Sequence, residues 1–482
     1  MRSMAIPRIE IDIMKTIPMM PRTQALAVLS AALLGGCAGF SPDGGFDAIQ
    51  SATQSHIQKD VAWTRDDASR SQTQARIDAL LAQPLSADDA VQIALLNNPG
   101  LQAAFNTLGI AEAGWVAAQR LPNPSFSIGR LTKGSEVEWE RSLHLSLARL
   151  LTMPMRADIE QRLFEQTRRE LVLDVLRLAA ETRKAWVVAV AASQTAQYQQ
   201  QAMGAAEAGA ELARRMAQVG NWSKLKQARE QAFYADAALA AARAEQVRLQ
   251  ARERLIRLMG LDRADTLQLP DRLPDLPNML PPLPAVEQQA MDSRLDLQTT
   301  RLHTETLANN LGLTRSTRLI NVLELGIISN NSSEEPLERG YEISFELPLF
   351  DGGQTRVLQA ESRYRQALER ARETAVNARS EVREAYAMQQ SQYAIARHLR
   401  DEVVPLAQRI SEETLLRYNG MLIGVFELLA DARSQISSVN AAIEAQRDFW
   451  LADADLQMAL VGTPSKTAIT VSSAPAEASG GH

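Results

Sequence analysis

The chain has 482 residues, 45% of them hydrophobic and 22% charged, a balance that suits a folded protein and argues against disorder. A net charge of −6 with no long basic run excludes nucleic acid as the expected partner. One cysteine, Cys37, and five scattered histidines (His56, His144, His303, His398, His482) leave no disulfide framework and no helical metal pair, so no cofactor or metal is expected.

Residues 1–36 read as a lipoprotein-type signal peptide. Lys15 and Arg22 precede a short apolar stretch, Leu26 to Leu34, that falls well short of the roughly 20 apolar residues a membrane-spanning helix needs. The stretch runs into Leu34-Gly35-Gly36-Cys37, which resembles a lipobox. That resemblance implies cleavage before Cys37, acylation of its thiol and of the new amine, and, with Ala38 rather than Asp following, sorting to the outer membrane. A more usual signal would begin at Met14. Elsewhere no apolar run is long enough for a transmembrane helix, so any membrane crossing must be made by a closed barrel.

The remainder repeats one order of elements at an offset of about 200 residues. The first copy, 37–268, is expected to hold a helix at 86–120, two strands at 124–148, a long helix at 155–219 and a second helix at 222–260. Ser86 and Asp89 open the first helix in a capping-box-like arrangement, and Asn98-Pro99 interrupts it. Residues 269–284, LPDRLPDLPNMLPPLP, carry six prolines and are expected to be a linker. The second copy, 285–462, repeats the pattern with a helix at 286–318, strands at 320–349, a long helix at 353–418 and a second helix at 424–461. The Ser-, Ala- and Gly-rich end, 463–482, reads as a disordered tail.

Both long helices carry a 3.5-residue seam. In the first, Leu171, Val175, Leu178, Thr182, Ala185, Ala189 and Ala192 step alternately by four and three. In the other, Val357, Ala360, Tyr364, Ala367, Ala371, Thr374 and Ala378 do the same. This is the period of helices coiled on neighbours, and alanine permits close approach. At 1.5 Å per residue each helix would be about 100 Å long, too long a stripe for one chain's core to cover.

The strands alternate with period two. Val137, Trp139, Leu143, Leu145 and Leu147 are interleaved with Glu138, Glu140, Ser142, His144 and Ser146; Tyr341, Ile343, Phe345 and Leu347 with Glu342, Ser344 and Glu346. Phe126 and Ile128, and Leu323, Leu325 and Ile327, mark weaker partner strands. Such ribbons suit a sheet between oil and water. Four strands cannot enclose a lumen, since even small barrels use about eight; three copies supply twelve. The rival reading is a periplasmic coiled-coil structural lipoprotein without channel activity, which leaves the amphipathic hairpins unexplained. No catalytic triad, nucleophile elbow or nucleotide loop is present, which argues against an enzyme.

Four segments carry a resemblance to a known family. They are Asp88-Asp89-Ala90-Val91-Gln92-Ile93-Ala94-Leu95 with Asn97-Asn98-Pro99; Leu121-Pro122-Asn123-Pro124; Leu347-Pro348-Leu349-Phe350-Asp351-Gly352-Gly353; and Tyr418-Asn419-Gly420 with Gly424-Val425-Phe426-Glu427-Leu428-Leu429. In order and duplication the mature chain resembles the outer-membrane efflux proteins, the TolC-like outer membrane factors, of lipoprotein type. The resemblance implies a mainly α, α+β, TolC-like fold: a homotrimer with a 12-stranded β-barrel in outer-membrane lipid above a periplasmic α-helical tunnel. It also implies passive conduction from a periplasmic adaptor and an inner-membrane pump of resistance–nodulation–division or ABC type. The first-half counterpart of the post-strand motif, Leu151-Thr152-Met153-Pro154-Met155, lacks the Asp-Gly-Gly.

Gly220-Asn221 and Gly420 fall where each long helix must reverse, and glycine there is expected to supply positive φ. The resemblance assigns adaptor contact to Val219, Gly220, Asn221, Ser223, Asn419, Gly420 and Gly424. It also assigns an acidic ring at the channel entrance to Glu427 and Asp431, spaced i, i+4 on one helix.

Overall fold

The structure is a computed structural model that describes residues 39–262, 267–280, 282, 285–319, 322–333, 335–347 and 349–464. Cys37, the signal segment 1–36 and the tail from 465 lie outside the described residues. Among those described, no helix is long and apolar enough to cross a membrane.

Two helices that the hydrophobic pattern does not announce come first, α1 (Phe46–Ile57) and α2 (Asp67–Leu81). The expected helix over 86–120 is two, α3 (Ala87–Asn97) and α4 (Pro99–Gln119). Ser86 caps α3, accepting the Asp89 amide at 3.1 Å while its hydroxyl donates to the Asp89 carboxylate at 2.6 Å. Then come β1 (Ser125–Lys133), β2 (Glu136–Ser146), the 72-residue α5 (Leu147–Gln218) and α6 (Lys224–Met259). The second copy holds α7 (Val286–Ser293), α8 (Leu295–Ser316), β3 (Leu323–Ser332) and β4 (Glu338–Phe345). It ends with α9 (Gln354–His398), a π-helical turn at Leu399–Val403, α10 (Val404–Asn419) and α11 (Val425–Val461).

Three boundaries differ from expectation. The helix expected at 155 starts at Leu147, directly after β2, because no glycine interrupts the chain there; Pro154 lies inside it. The second-half junction turns through Gly352 and Gly353, at φ 53° and 67°. A Cβ on Gly353 would run into the Arg318 carbonyl, so the turn needs glycine. The second long helix, expected unbroken over 353–418, is relaid by the π turn just before Pro405, which lacks the amide that an α-helix would use there. The helix expected over 286–318 breaks at Arg294, which is extended at φ −61°, ψ 121°.

The chain divides into two compact units. The sheet unit takes in Ala113–Ala157, Ile320–Leu347 and the described residues before Pro42; the helical unit takes in Pro42–Glu112, Asp158–Leu319 and the described chain after Leu347. In the helical unit the largest core gathers Ile77, Leu85, Ile93, Leu96, Trp186, Val190, Leu255 and Met259. The Trp186 indole donates to the Leu85 carbonyl at 2.8 Å. The first seam is well covered: Leu171, Val175, Thr182, Ala185, Ala189 and Ala192 are buried. On α9 only Ala367 and Ala378 of the expected seam are buried, and Val357, Ala360, Tyr364, Ala371 and Thr374 are half-exposed.

The stretch 269–280 is packed rather than free. Leu273 and Leu276 are buried, the Trp450 indole and Gln446 amide donate to the Pro274 carbonyl, and the Tyr393 hydroxyl meets the carbonyls of Pro277 and Asn278, each at 2.9 Å. Proline denies it helix and strand bonds, so its carbonyls are satisfied by side chains of α9 and α11.

Candidate functional site

Within the sheet unit, four antiparallel strands lie in the order β1-β2-β3-β4. The register fixes the faces, because directly opposed residues point the same way. Phe126 opposes Leu143, Leu143 opposes Ile327, and Ile327 opposes Tyr341, an unbroken apolar row across all four strands. One row along, Leu145, Leu325 and Ile343 align. The alternate face carries Ser125, His144 and Glu342 in one row, and Glu140, Asn330 and Glu338 in another. The apolar row is open: Phe126 is 65% and Tyr341 79% exposed. Large side chains left outside in so regular a band mark a surface made for an apolar medium or partner.

At its far edge the band meets charge. Arg141 and Arg339 both align with Ser329, and the Arg130 guanidinium stands 5.8 Å over the Trp139 ring. The β1–β2 hairpin closes through Gly134-Ser135, with Gly134 at φ 64°.

Within the helical unit, the two helix reversals share one hydrogen-bond pattern. At the α5–α6 turn Gly220 sits at φ 80°. Its amide donates to Ala217 at 3.2 Å and that of Asn221 to Met216 at 2.9 Å. This is a Schellman closure. Val219 is exposed, and the Ser223 hydroxyl caps α6 by accepting the Lys226 amide at 3.3 Å. At the α10–α11 turn the Met421 amide donates to Tyr418 at 3.0 Å and that of Leu422 to Arg417 at 2.9 Å. The left-handed position there is Met421, at φ 59°, and not Gly420, whose φ is −79°. The expectation for Gly420 is thus corrected: the turn closes one residue later, after Asn419 has completed α10 and Gly420 has taken an ordinary conformation. Met421 and Leu422 are left as exposed apolar side chains, Met421 at 93%.

Gly424 precedes α11, and its amide donates to the Glu427 carboxylate at 2.6 Å. Glu427 therefore caps its own helix while remaining exposed. Asp431, one turn on, is half-buried, and one carboxylate oxygen has no hydrogen-bond partner among the described residues. The two acids share a helix but not an environment.

Four residues that sequence reasoning passed over hold the reversals together. Glu230 of α6 is buried and accepts from Arg433 of α11 at 2.7 Å. The same guanidinium stands 4.0 Å over the Phe233 ring. Gly209 of α5 admits Leu429, since a Cβ there would lie 3.3 Å from the leucine methyl. A partnership across 203 residues leaves no local signal; a glycine inside a helical pattern was the available hint. Two carboxylates elsewhere on these helices respond to their surroundings. Hydrogen bonds from Arg214 and Arg215 hold Glu211 down at about 2. Burial pushes Asp453 above the usual carboxylate range although Gln389 donates to it.

A duplicated set of long helices carrying one four-stranded antiparallel sheet is a TolC-like fold. Among solved structures, the chain is similar to the CmeC outer membrane channel of Campylobacter jejuni, with a TM-score of 0.68 and 15% identity over 78% of this chain and 85% of that one. It is also similar to a membrane protein from Pseudomonas aeruginosa (TM-score 0.67, 19% identity, 78% and 92% covered). The open state of the Neisseria gonorrhoeae MtrE outer membrane channel aligns with TM-score 0.64 at 19% identity, covering 77% and 88%. No protein-family model matches the chain, and no curated protein matches it by sequence.

Proposed function

We propose that this chain is the outer-membrane duct of a tripartite efflux or secretion system, a homotrimer that conducts substrates passively from the periplasm to the exterior. The observation that carries the reading is the sheet. One face presents aligned, exposed apolar rows and the other carboxylates and hydroxyls, and its four strands are too few to close around a lumen. Three copies joined edge to edge give a 12-stranded cylinder with lipid outside and water within. The half-exposed seam of α9 fits the same assembly, since neighbouring copies would cover it.

In this reading Cys37 carries the lipid anchor in the outer membrane. The reversals at Val219, Gly220, Asn221 and Ser223 and at Asn419, Gly420 and Gly424 meet a periplasmic adaptor, and an inner-membrane pump of resistance–nodulation–division or ABC type supplies the energy. Asp431, with its unpartnered oxygen, and Glu427 would form acidic rings near the entrance, where like charges disfavour a tight closed mouth.

Reconstitution of the purified full chain in planar bilayers tests the reading. A heat-resistant trimer with stepwise, cation-selective conductance is expected; a monomer without conductance would overturn it in favour of a structural lipoprotein. Glu427→Gln combined with Asp431→Asn is expected to lower cation selectivity, and unchanged selectivity removes the acidic ring while leaving the channel.

A further inference from the structure

The apolar band has a second edge, where the chain enters and leaves the sheet. Within the sheet unit, Arg120, Arg149 and Arg156 line a cleft of about 470 Å³ together with Phe40, Val116 and Met153. That size falls within the roughly 300–1,000 Å³ typical of small-molecule sites. No carboxylate lines it among the described residues. Among the described residues Arg149 and Arg156 make no ion pair there; Arg156 donates to the Thr152 hydroxyl at 3.1 Å, and the Arg120 guanidinium stands 5.7 Å from the Phe40 ring. Arg149 and Arg156 bring like charge to one concave wall, and an anion would relieve their repulsion.

Place and chemistry narrow the anion. Pro122 and Asn123, also in the wall, lie only a few residues before Phe126 of the apolar row, and Arg149 lies four residues after Leu145. In a sheet whose apolar face meets lipid, this is headgroup depth. Guanidinium forks bind phosphate oxygens in pairs, while the apolar wall suits the glycerol and the first methylenes of an acyl chain. Phe40 stands three residues after Cys37, so the proposed anchor would leave the chain within about 10 Å of the cleft. We propose that this cleft binds the headgroup of an anionic glycerophospholipid, one per chain, from the leaflet that holds the anchor. The proposal rests on the membrane reading above and adds a lipid site to it.

The test uses the full chain in neutral detergent, mixed with phosphatidylglycerol or phosphatidylcholine, with retained lipid counted by native mass spectrometry. Phosphatidylglycerol is expected to be retained at one molecule per chain and phosphatidylcholine far less. Arg149→Gln with Arg156→Gln is expected to reduce retained phosphatidylglycerol by about tenfold or more, and lysine at both positions to restore part of it. Equal retention of the two lipids, an unchanged count in the glutamine variant, or displacement by excess inorganic phosphate would overturn the proposal. Bilayer conductance separates the two readings. A glutamine variant that conducts and still retains phosphatidylglycerol sinks the cleft alone, whereas a parent chain that never conducts sinks the channel.

Discussion

The two halves of the chain meet the same structural problem with different chemistry. Each breaks the helix that leads into its strands just where the last helix of that half ends and leaves carbonyls open. In the first half Asn98 donates to the Leu258 carbonyl at 2.9 Å, and Asn97 donates to those of Met259 and Gly260. In the second half Arg294 donates to the Ala459 carbonyl at 3.2 Å and the Ser293 hydroxyl to that of Leu460 at 2.8 Å. The first solution is neutral. The second sinks a guanidinium to 1% exposure and needs Asp296 at 2.6 Å and Glu381 at 2.8 Å to hold its charge. Burial works against that charge, and the two carboxylates more than offset it, leaving the Arg294 pKa raised. Duplication has therefore kept the task, closure of a helix end at a break, and not the means.

Unequal penalties on removal test that comparison. Arg294→Ala strands Asp296 and Glu381 beside a cavity and is expected to destabilise the helical unit by about 3–5 kcal/mol, read by chemical denaturation. Asn98→Ala leaves the Leu258 carbonyl without its donor and the Leu101 amide without its acceptor, both neutral, and should cost only about 1–3 kcal/mol. Similar losses in the two variants would mean that the charge network adds nothing. The reversals offer a smaller test. Met421 holds the left-handed position that Gly220 holds in the first half, so Met421→Gly should stabilise by up to about 1 kcal/mol and make the two tips alike.

The smallest expected effect is at the α9–α11 seam. Burial raises the pKa of Asp453, so its ionised form weakens the fold at neutral pH, and protonation on acidification relieves that cost. Asp453→Asn should therefore raise the melting temperature at neutral pH, with Gln389 still able to donate to the new amide oxygen. The gain should vanish once the pH falls below about 3.9, where the aspartate is protonated in both the folded and unfolded parent. A gain that persists in acid would assign the effect to packing instead.

Much of this was legible from residue spacing, and the exceptions have a common cause. The alternation of Tyr341, Ile343 and Phe345 with Glu342 and Ser344 fixed which side chains share a face, because a one-residue slip would invert every one of them. The stepped seam of α5 was visible because its apolar side chains recur along one helix. What stayed hidden depends on partners distant in sequence. The break at Arg294 has no proline and is held by contacts with Glu381 and Ala459. The packing of 269–280 depends on Tyr393, Gln446 and Trp450. The Glu230–Arg433 pair joins opposite halves. Helices α1 and α2 escaped because each buries little of its length, Ile49 and Thr53 in one and Ile77 in the other. At the second reversal the glycine was a misleading marker, since hydrogen-bond closure placed the strained residue one step later.

The strand order has a consequence for how such a protein is made. With β2 and β3 inside, β1 and β4 each keep one side free of a neighbouring strand among the described residues, bordered by the bare row from Phe126 to Tyr341. Open strand borders beside oily side chains are the features that make polypeptides cling to one another indiscriminately. On the proposed reading, a newly exported chain carrying them through water must be escorted or must find its sister copies quickly. Its biogenesis, more than its finished stability, is then the step most vulnerable to failure.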